Sequence, residues 1–576
     1  MSDEPAPPHP DASSSGESLP PRRAPTDGAA AAHGASSSDG ASADGASADS
    51  AAATDGAATM LREGGKLSIL TLASRVLGLL REMSRAAFMG TGMLADSFTV
   101  SFMIPNLFRR LFAEGSISVA FIPTFKAFLI EGDEARTRRF LSASFTVLLI
   151  LLSAIVALGI ACTPLLVGLF DAEVVETTVL TRMMFPFLAI VSIAALLQGI
   201  LNSIGVFAIS GAAPILFNIA FIAVPWLVAP YTANPARAMA VGVLVGGLLQ
   251  TLCQLPAVIR AGWGFGLLGP LAAFRDPGVR RILRLIGPTI IGMAAYQLNE
   301  LVSTAVASRT GIGVATSLTF SLRLLELVLG VFAVSAGTVL LPELSEAVAK
   351  KDWSRFTKSL GRSLDLIALV TIPVAVFSMA MGKEIVVLLF QAREFGAESA
   401  ELTTNAFFFH MMGLYFIAAN RIIAPAFYAR GDSKSPTWAG IAAMGINIAL
   451  AFALALPLSG GGIALALSIA SAANTLFLVI LSLRSRIEGL AFVFRRALKY
   501  VGKLLALSAL ALGALLLAKP TILSLFAGST SRFASAGMPL LLCGLLYAAI
   551  GIGGLVLTRD EVGAGLVKGL RRRRRK

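Results

Sequence analysis

The chain has 576 residues, 56% of them hydrophobic and only 14% charged, with a formal net charge of +14. Soluble domains carry roughly a quarter charged residues, so this composition excludes a water-facing surface all round and points to a membrane protein. The charge is divided: nine acids against Arg22 and Arg23 leave −7 on residues 1–60, and +21 falls on the rest.

Residues 1–60 are Ala, Ser, Gly, Asp and Pro with almost nothing large and apolar, which predicts a disordered acidic tail. No basic start followed by an apolar run occurs there, so it does not read as a signal peptide. A crossing helix needs about 20 apolar residues. On that length the chain predicts spans near 66–90, 94–126, 140–168, 178–202, 210–231, 237–260, 284–308, 313–345, 360–382, 402–429, 434–457, 462–484, 500–518 and 536–557. The second and eighth are interrupted by charge, and charge asymmetry is a second argument for them. Cys162, Cys253 and Cys543 lie in apolar runs without CxxC or CxxH spacing and read as small buried hydrophobes rather than metal ligands or disulfides. His410 is the only histidine outside the tail, which leaves little for histidine-based chemistry. No GxxxxGK loop occurs, so the chain is not expected to use ATP.

Numbering loops alternately with fourteen spans gathers 32 Lys and Arg on one side and 6 on the other. The rich side holds Arg136, Arg138 and Arg139, the group Arg275 to Arg284, the stretch 484–503 and the terminal RRRRRK. By the positive-inside rule that side is cytoplasmic and both termini lie there. The terminal run is expected to meet anionic lipid headgroups, and nothing in the chain reads nucleic acid.

The segment starting at Ser116, SISVAFIPTFKAFLIEGDEARTRRFLSASF, resembles the one from Val334, VSAGTVLLPELSEAVAKKDWSRFTKSLGRSL. PLLVGLF (164–170) matches EIVVLLF (384–390), and Pro214 matches Pro436, at an offset of about 220 residues. Six spans thus repeat in parallel, an arrangement that places substrate between lobes. The expected fold class is an all-α polytopic membrane protein of about 14 transmembrane helices, in two six-helix lobes plus two C-terminal helices. Its parts are the tail 1–60, an N-lobe 61–262 (spans 1–6), a C-lobe 263–486 (spans 7–12), spans 13 and 14 in 487–558, and a basic cytoplasmic tail 559–576.

Arg75, Arg81, Arg85, Arg109, Arg110 and Arg323 all fall inside predicted spans. A basic residue at the bilayer centre costs about 2.5–3.5 kcal/mol on insertion scales, so these six must face protein or water. At 100° per residue, Ser68, Thr71, Ser74, Arg75, Gly78, Arg81, Glu82 and Arg85 share one face of span 1. Asn106, Arg109, Arg110 and Glu114 share an arc of span 2; Thr316, Thr319, Arg323, Glu326, Gly330 and Gly337 share one of span 8. Plain internal pairing is the alternative: Arg85 with Glu82, Arg110 with Glu114, Arg323 with Glu326. The arginines outnumber the nearby acids Glu82, Asp96, Glu114 and Glu326, and a guanidinium excess suits a phosphate-bearing anion. Glu300 and Arg421, single charges in spans 7 and 10, read as gating, ion-coupling or structural pairs.

SRVLGLLRE (74–82) and DSFTVSFMIPNLFRRLFAEGSISVAFIP (96–123) resemble the MurJ (MviN) lipid II flippase family of the multidrug/oligosaccharidyl-lipid/polysaccharide exporter superfamily. GTVLLPELS (337–345) and APAFYARGDSKSP (424–436) are further landmarks, and the likeness covers roughly residues 66–557. It implies a transporter rather than an enzyme, in the bacterial inner membrane, serving cell-wall synthesis and needing no cofactor. The implied substrate is lipid II, an undecaprenyl-pyrophosphate-linked disaccharide peptide, flipped to the periplasmic leaflet by alternating access among membrane lipids; a coupling cation is left open. The family's cavity arginines fall on Arg75, Arg81, Arg109 and Arg323, with Asn106 and Glu114 beside them. Its gating or ion-pair positions fall on Glu82, Asp96, Arg85, Arg110 and Glu326. The chain departs from the pattern in having Glu82 where many members have Asp, and Leu322 where some have an acid; Glu326 is the candidate replacement. Competing readings are another exporter of the superfamily, for drugs or polysaccharide lipids, which would favour acids over arginines in its cavity, and a non-transporting scaffold of a cell-wall complex. A lipid-phosphate enzyme would need clustered acids or histidines, which are not found.

Overall fold

The structure is a computed structural model that describes residues 70, 73–111, 120–170, 174–485 and 487–565, with backbone alone over 288–296 and 331–339. The acidic tail, Glu114 and the terminal basic run lie outside the described residues. All long elements are α-helices: α1 (73–89), α2 (Met93–Arg109), α3 (Ile122–Glu131), α4 (Glu134–Ala161), α5 (Thr163–Val167), α6 (Val174–Ser203), α7 (Phe207–Val228), α8 (Pro235–Leu252) and α9 (Leu255–Arg260). A crossover carrying α10 (Pro270–Arg275) leads to α11 (Pro277–Thr310), α12 (Val314–Ala349), α13 (Trp353–Ala380), α14 (Gly382–Phe390), α15 (Ala397–Met412) and α16 (Leu414–Tyr428). α17 (Lys434–Arg484), α18 (Leu490–Leu525) and α19 (Met538–Leu557) complete the order.

Among the described residues eight helices are long and apolar enough to cross a bilayer, or nine if α15 and α16, bent by 44°, form one span. α17 is not a straight rod. Ser459 leaves helical geometry at φ 50°, ψ −135°, and a Cβ added to Gly462 would collide with the carbonyl oxygen of Leu454. Residues eight apart in a continuous helix are separated by about 12 Å along the axis, so the chain doubles back here as two helices. This is the break expected between 457 and 462. α1, α2, α11 and α12, where the candidate site is built, are not among these helices.

Helix starts follow from side-chain caps that satisfy otherwise orphaned N–H groups. Asp133 accepts from Arg136 N (2.9 Å) and Asp352 from Arg355 N (2.8 Å). These two caps are 219 residues apart and each follows a left-handed residue, Gly132 (φ 76°) or Lys351 (φ 55°). The repeat thus extends to the backbone of a turn.

One core gathers Phe320, Phe356, Phe390, Phe407, Ile422 and their neighbours from α12 to α17, and admits Ala86 of α1. Others unite α1, α2, α6, α7 and α8 around Phe98, Phe187 and Val243, and α3, α4 and α6 around Phe125, Phe140 and Ile200. α18 and α19 pack on α13 and α14 through Leu515, Cys543 and Tyr547. The cysteine expectation needs correction. Cys543 is buried, but Cys162 and Cys253 are only partly so; all three are free. In a membrane protein an apolar residue gains nothing by leaving lipid for the core, so apolar surroundings in sequence do not dictate burial.

Candidate functional site

The candidate site is built where α1 and α2 meet α12. Glu82 of α1 is 4% exposed and receives guanidinium groups from two helices: Arg81 at 2.7 Å, Arg85 at 3.3 Å and, across the junction, Arg323 of α12 at 3.9 Å. A buried carboxylate survives only when paired, and here it is paired three times over. Arg323 also reaches Glu326 one turn along its own helix, at 2.6 Å. Arg75 is exposed and its guanidinium lies on the bare backbone of Gly330, where any Cβ would overlap it. Among the described residues Arg75 forms no ion pair. Arg81, Arg85 and Arg323 therefore converge on Glu82, with Glu326 as a second partner of Arg323, while Arg75 lies apart on Gly330.

The arginines are not equivalent. Arg81 is held by Asn218 of α7 (3.1 Å) and lies over the rings of Phe221 and Phe217 at 5.3 and 5.9 Å. Arg85 is 5% exposed and sits between Phe98 and Phe320 at 5.5 and 5.0 Å, donating to Thr99. It fills the junction rather than lining a cavity. Arg109 donates to Asn106 at 2.8 Å on the same face of α2. Arg110 pairs with Glu300 of α11. The pairing expected with Glu114 lies outside the described residues, as does Glu114's place in the site. Arg421 is exposed and pairs with no acid among the described residues.

At the end of this junction where α1 turns into α2, the contact is tight. Asp96 of α2 accepts from the backbone N–H groups of Gly313 (2.6 Å) and Thr316 (2.8 Å) and from the Thr316 hydroxyl (2.7 Å), capping the N-terminus of α12. Thr99 and Thr316 hydroxyls meet at 2.9 Å, and Thr91 donates to Ser399 at 2.8 Å. Gly90 (φ 61°) and Gly313 (φ 84°) allow the close approach: a Cβ on Gly90 would strike the carbonyl oxygen of Glu394, and one on Gly313 that of Thr91.

Sequence reasoning did not single out Asn218, Thr99 or the four phenylalanines. Asn218 was visible as a lone amide in the apolar run 210–231; the rings carry no such signal.

A family model described as lipid II flippase MurJ matches residues 85–534. A probable lipid II flippase MurJ from Treponema pallidum is 42% identical over 519 residues, covering 89% of this chain and 98% of the relative. The lipid II flippase MurJ of Burkholderia cenocepacia is 35% identical over 387 residues, covering 66% and 75%. Among solved structures, a lipid II flippase MurJ in an inward closed conformation superposes with TM-score 0.71 at 23% identity, over 86% of this chain and 99% of that one. An inward-facing multidrug resistance MATE transporter of the MOP superfamily gives TM-score 0.60 at 15% identity, over 73% and 98%. The two structural likenesses speak to the fold; sequence identity and the family match speak to kinship. This all-helical, multi-pass membrane protein belongs to the MurJ lipid II flippase family, a family of transporters rather than enzymes.

Proposed function

We propose that this protein carries lipid II from the cytoplasmic to the periplasmic leaflet of the bacterial inner membrane by alternating access, for cell-wall synthesis. The observation that carries the reading is the convergence of Arg81, Arg85 and Arg323 on Glu82 between α1 and α12, with Arg75 against Gly330 of α12 and without an ion pair among the described residues. Arg75, Arg81, Arg109 and Arg323 take the pyrophosphate, for which paired N–H donors are well matched. Asn106 and Asn218 aim Arg109 and Arg81. Glu82 and Glu326 hold Arg81 and Arg323 in place until the diphosphate competes for them, and Arg85 pins the junction.

The scheme has fourteen crossings: the apolar helices, the bent pair α15–α16, both halves of α17, and the charged helices α1, α2, α11 and α12. The lobes are 61–262 and 263–486, with 487–558 appended and both termini cytoplasmic. That orientation puts the Asp96–α12 contact at the periplasmic end. The polyprenyl tail stays in lipid or in the cavity of about 840 Å³ between α13, α18 and α19, which Leu369, Leu504, Tyr547 and Leu555 help to line. Moving charge across the field is worth about 2.3 kcal/mol per 100 mV, so the membrane potential acts on an anionic headgroup, and any coupling cation adds to that. Nucleic acid has no part in the scheme.

The test is rescue of a flippase-depleted cell by Arg75→Ala, Arg81→Ala, Arg109→Ala or Arg323→Ala, with membrane abundance measured separately. A hydrogen bond to a charged group contributes about 1.5–3 kcal/mol, so each variant should bind the headgroup tenfold or more weakly and fail to rescue at normal abundance. Rescue by all four would refute the site assignment. Loss of headgroup export in variants that still assemble a normal cell-wall complex would separate transport from a scaffold role.

A further inference from the structure

The crossover between α9 and α11 does not hang free. It lies along α4: Gly266 N donates to Ser142 Oγ and Leu268 N to Thr146 Oγ1, both at 3.0 Å. The Phe265 ring meets Phe145 at 4.6 Å, and Trp263 meets Phe125 at 5.6 Å. Ala273 and Val279 are buried with Ala143 and Val147. With that inner face satisfied, the outer face carries Leu267 and Leu271, 70% and 64% exposed.

Beside those leucines opens a cavity of about 720 Å³, lined by Arg136, Arg139, Leu271, Arg275 and Asp276 among others. Its charges are unequally used. Arg136 is neutralised by Glu131 at 2.8 Å. Asp276 is occupied in capping α11, accepting from Gly278 N and Val279 N at 2.9 and 3.2 Å. Arg139 and Arg275 are exposed and have no carboxylate partner among the described residues. None of Arg75, Arg81, Arg109 or Arg323 lines the cavity.

We propose that Arg139 and Arg275 hold the phosphate of an anionic phospholipid of the cytoplasmic leaflet, with Leu267 and Leu271 against its acyl chains, fixing the crossover between the lobes to the membrane. Charge complementarity and the exposed leucines argue for this occupant. An amphipathic surface of this kind binds by apolar insertion and by attraction to anionic headgroups together. A free phosphate would leave the leucines in water. The flipped substrate has its own arginines elsewhere. The proposal rests on the cytoplasmic orientation of this face argued under the proposed function.

The full-length protein is reconstituted in phosphatidylcholine nanodiscs carrying increasing phosphatidylglycerol, and retained lipid is counted by mass spectrometry of the intact protein. Wild type should retain phosphatidylglycerol in preference to phosphatidylcholine. Arg139→Gln/Arg275→Gln should lower that preference roughly 30-fold, for two surface charges. Arg139→Lys/Arg275→Lys keeps the charge and should keep the preference, which guards against a folding defect in the first variant. Equal preference in wild type and the Gln variant overturns the proposal, as does displacement of the lipid by inorganic phosphate or by undecaprenyl diphosphate. Labelling of Arg139→Cys by an impermeant thiol reagent from the periplasm overturns the orientation reading instead, independently of lipid retention.

Discussion

Glu82 is the residue on which the arginine cluster depends. Without its charge, Arg81, Arg85 and Arg323 are left within mutual repulsion, and Arg85 has lost its ion-pair partner among the described residues inside a nearly closed space. Removing one partner of a buried pair costs about 3–5 kcal/mol, so Glu82→Gln should lower thermal stability strongly in purified protein. Glu326→Gln, at a half-exposed pair, should change stability by about 1 kcal/mol or less. Equal effects in a melting experiment would show that Glu82 is not central. Asn218→Ala acts on positioning: it removes the amide oxygen that Arg81 donates to. Transport should fall while Arg81 stays charged, and Asn218→Asp should retain more transport than Ala. The arginines themselves were legible in the sequence because charge inside an apolar span has few structural excuses. Which of them fills the junction and which stays accessible was not, since Arg81 and Arg85 differ in the rings and polar partners that neighbouring helices bring to them.

At the scale of elements, the fit of α1, α2 and α12 relies on glycines. Gly313→Ala combines an unfavourable left-handed backbone with a collision against Thr91, and should cost more than the roughly 1 kcal/mol of the backbone change alone. The expected sign is reduced protection of the α2–α12 contact in hydrogen exchange; unchanged protection would contradict the packing argument. The C-terminal pair is attached differently. Asp560, just beyond α19, receives Lys503 at 2.7 Å and Tyr500 at 3.1 Å from α18. Burial opposes its ionisation, but Lys503, the Gly563 N–H and Tyr500 outweigh that and hold its carboxyl below the usual range. A lowered carboxyl stabilises the fold above its unfolded pKa, about 3.9, and that contribution is lost as pH falls through the folded value. The α18–α19 attachment should therefore be insensitive to pH above about 5, loosening only on strong acidification. Asp560→Asn should remove that acid-dependent step from the melting profile. Charge interrupts the spans 94–126 and 313–345, which hold α2 and α12, and weakens them by hydropathy, yet the charge asymmetry of the loops argued for both.

For the whole molecule, the Thr91–Ser399 and Asp96–α12 contacts join the first two helices to the second half of the chain at the end where α1 turns into α2. If transport requires this end to part, Thr91→Cys/Ser399→Cys should stop it on oxidation and restore it on reduction. Continued export with the disulfide formed would exclude opening at that end. Arg110 and Glu300 tie α2 to α11; the charge-reversed pair Arg110→Glu/Glu300→Arg should recover function that each single reversal loses, and absence of recovery would make the contact incidental.

The sequence by itself determined the membrane class, the helix content, the repeat and the identity of the candidate arginines. Length of apolar run, charge asymmetry and angular position are properties of one segment at a time, readable without neighbours. Only the tertiary structure decided that Glu82 gathers three guanidinium groups, that Arg110 meets Glu300, that Asp96 caps a helix 217 residues away, and that the crossover leaves Arg139 and Arg275 beside bare leucines. Those pairings join residues distant in the chain. Nothing in the local pattern of either partner encodes the other; packing brings them together.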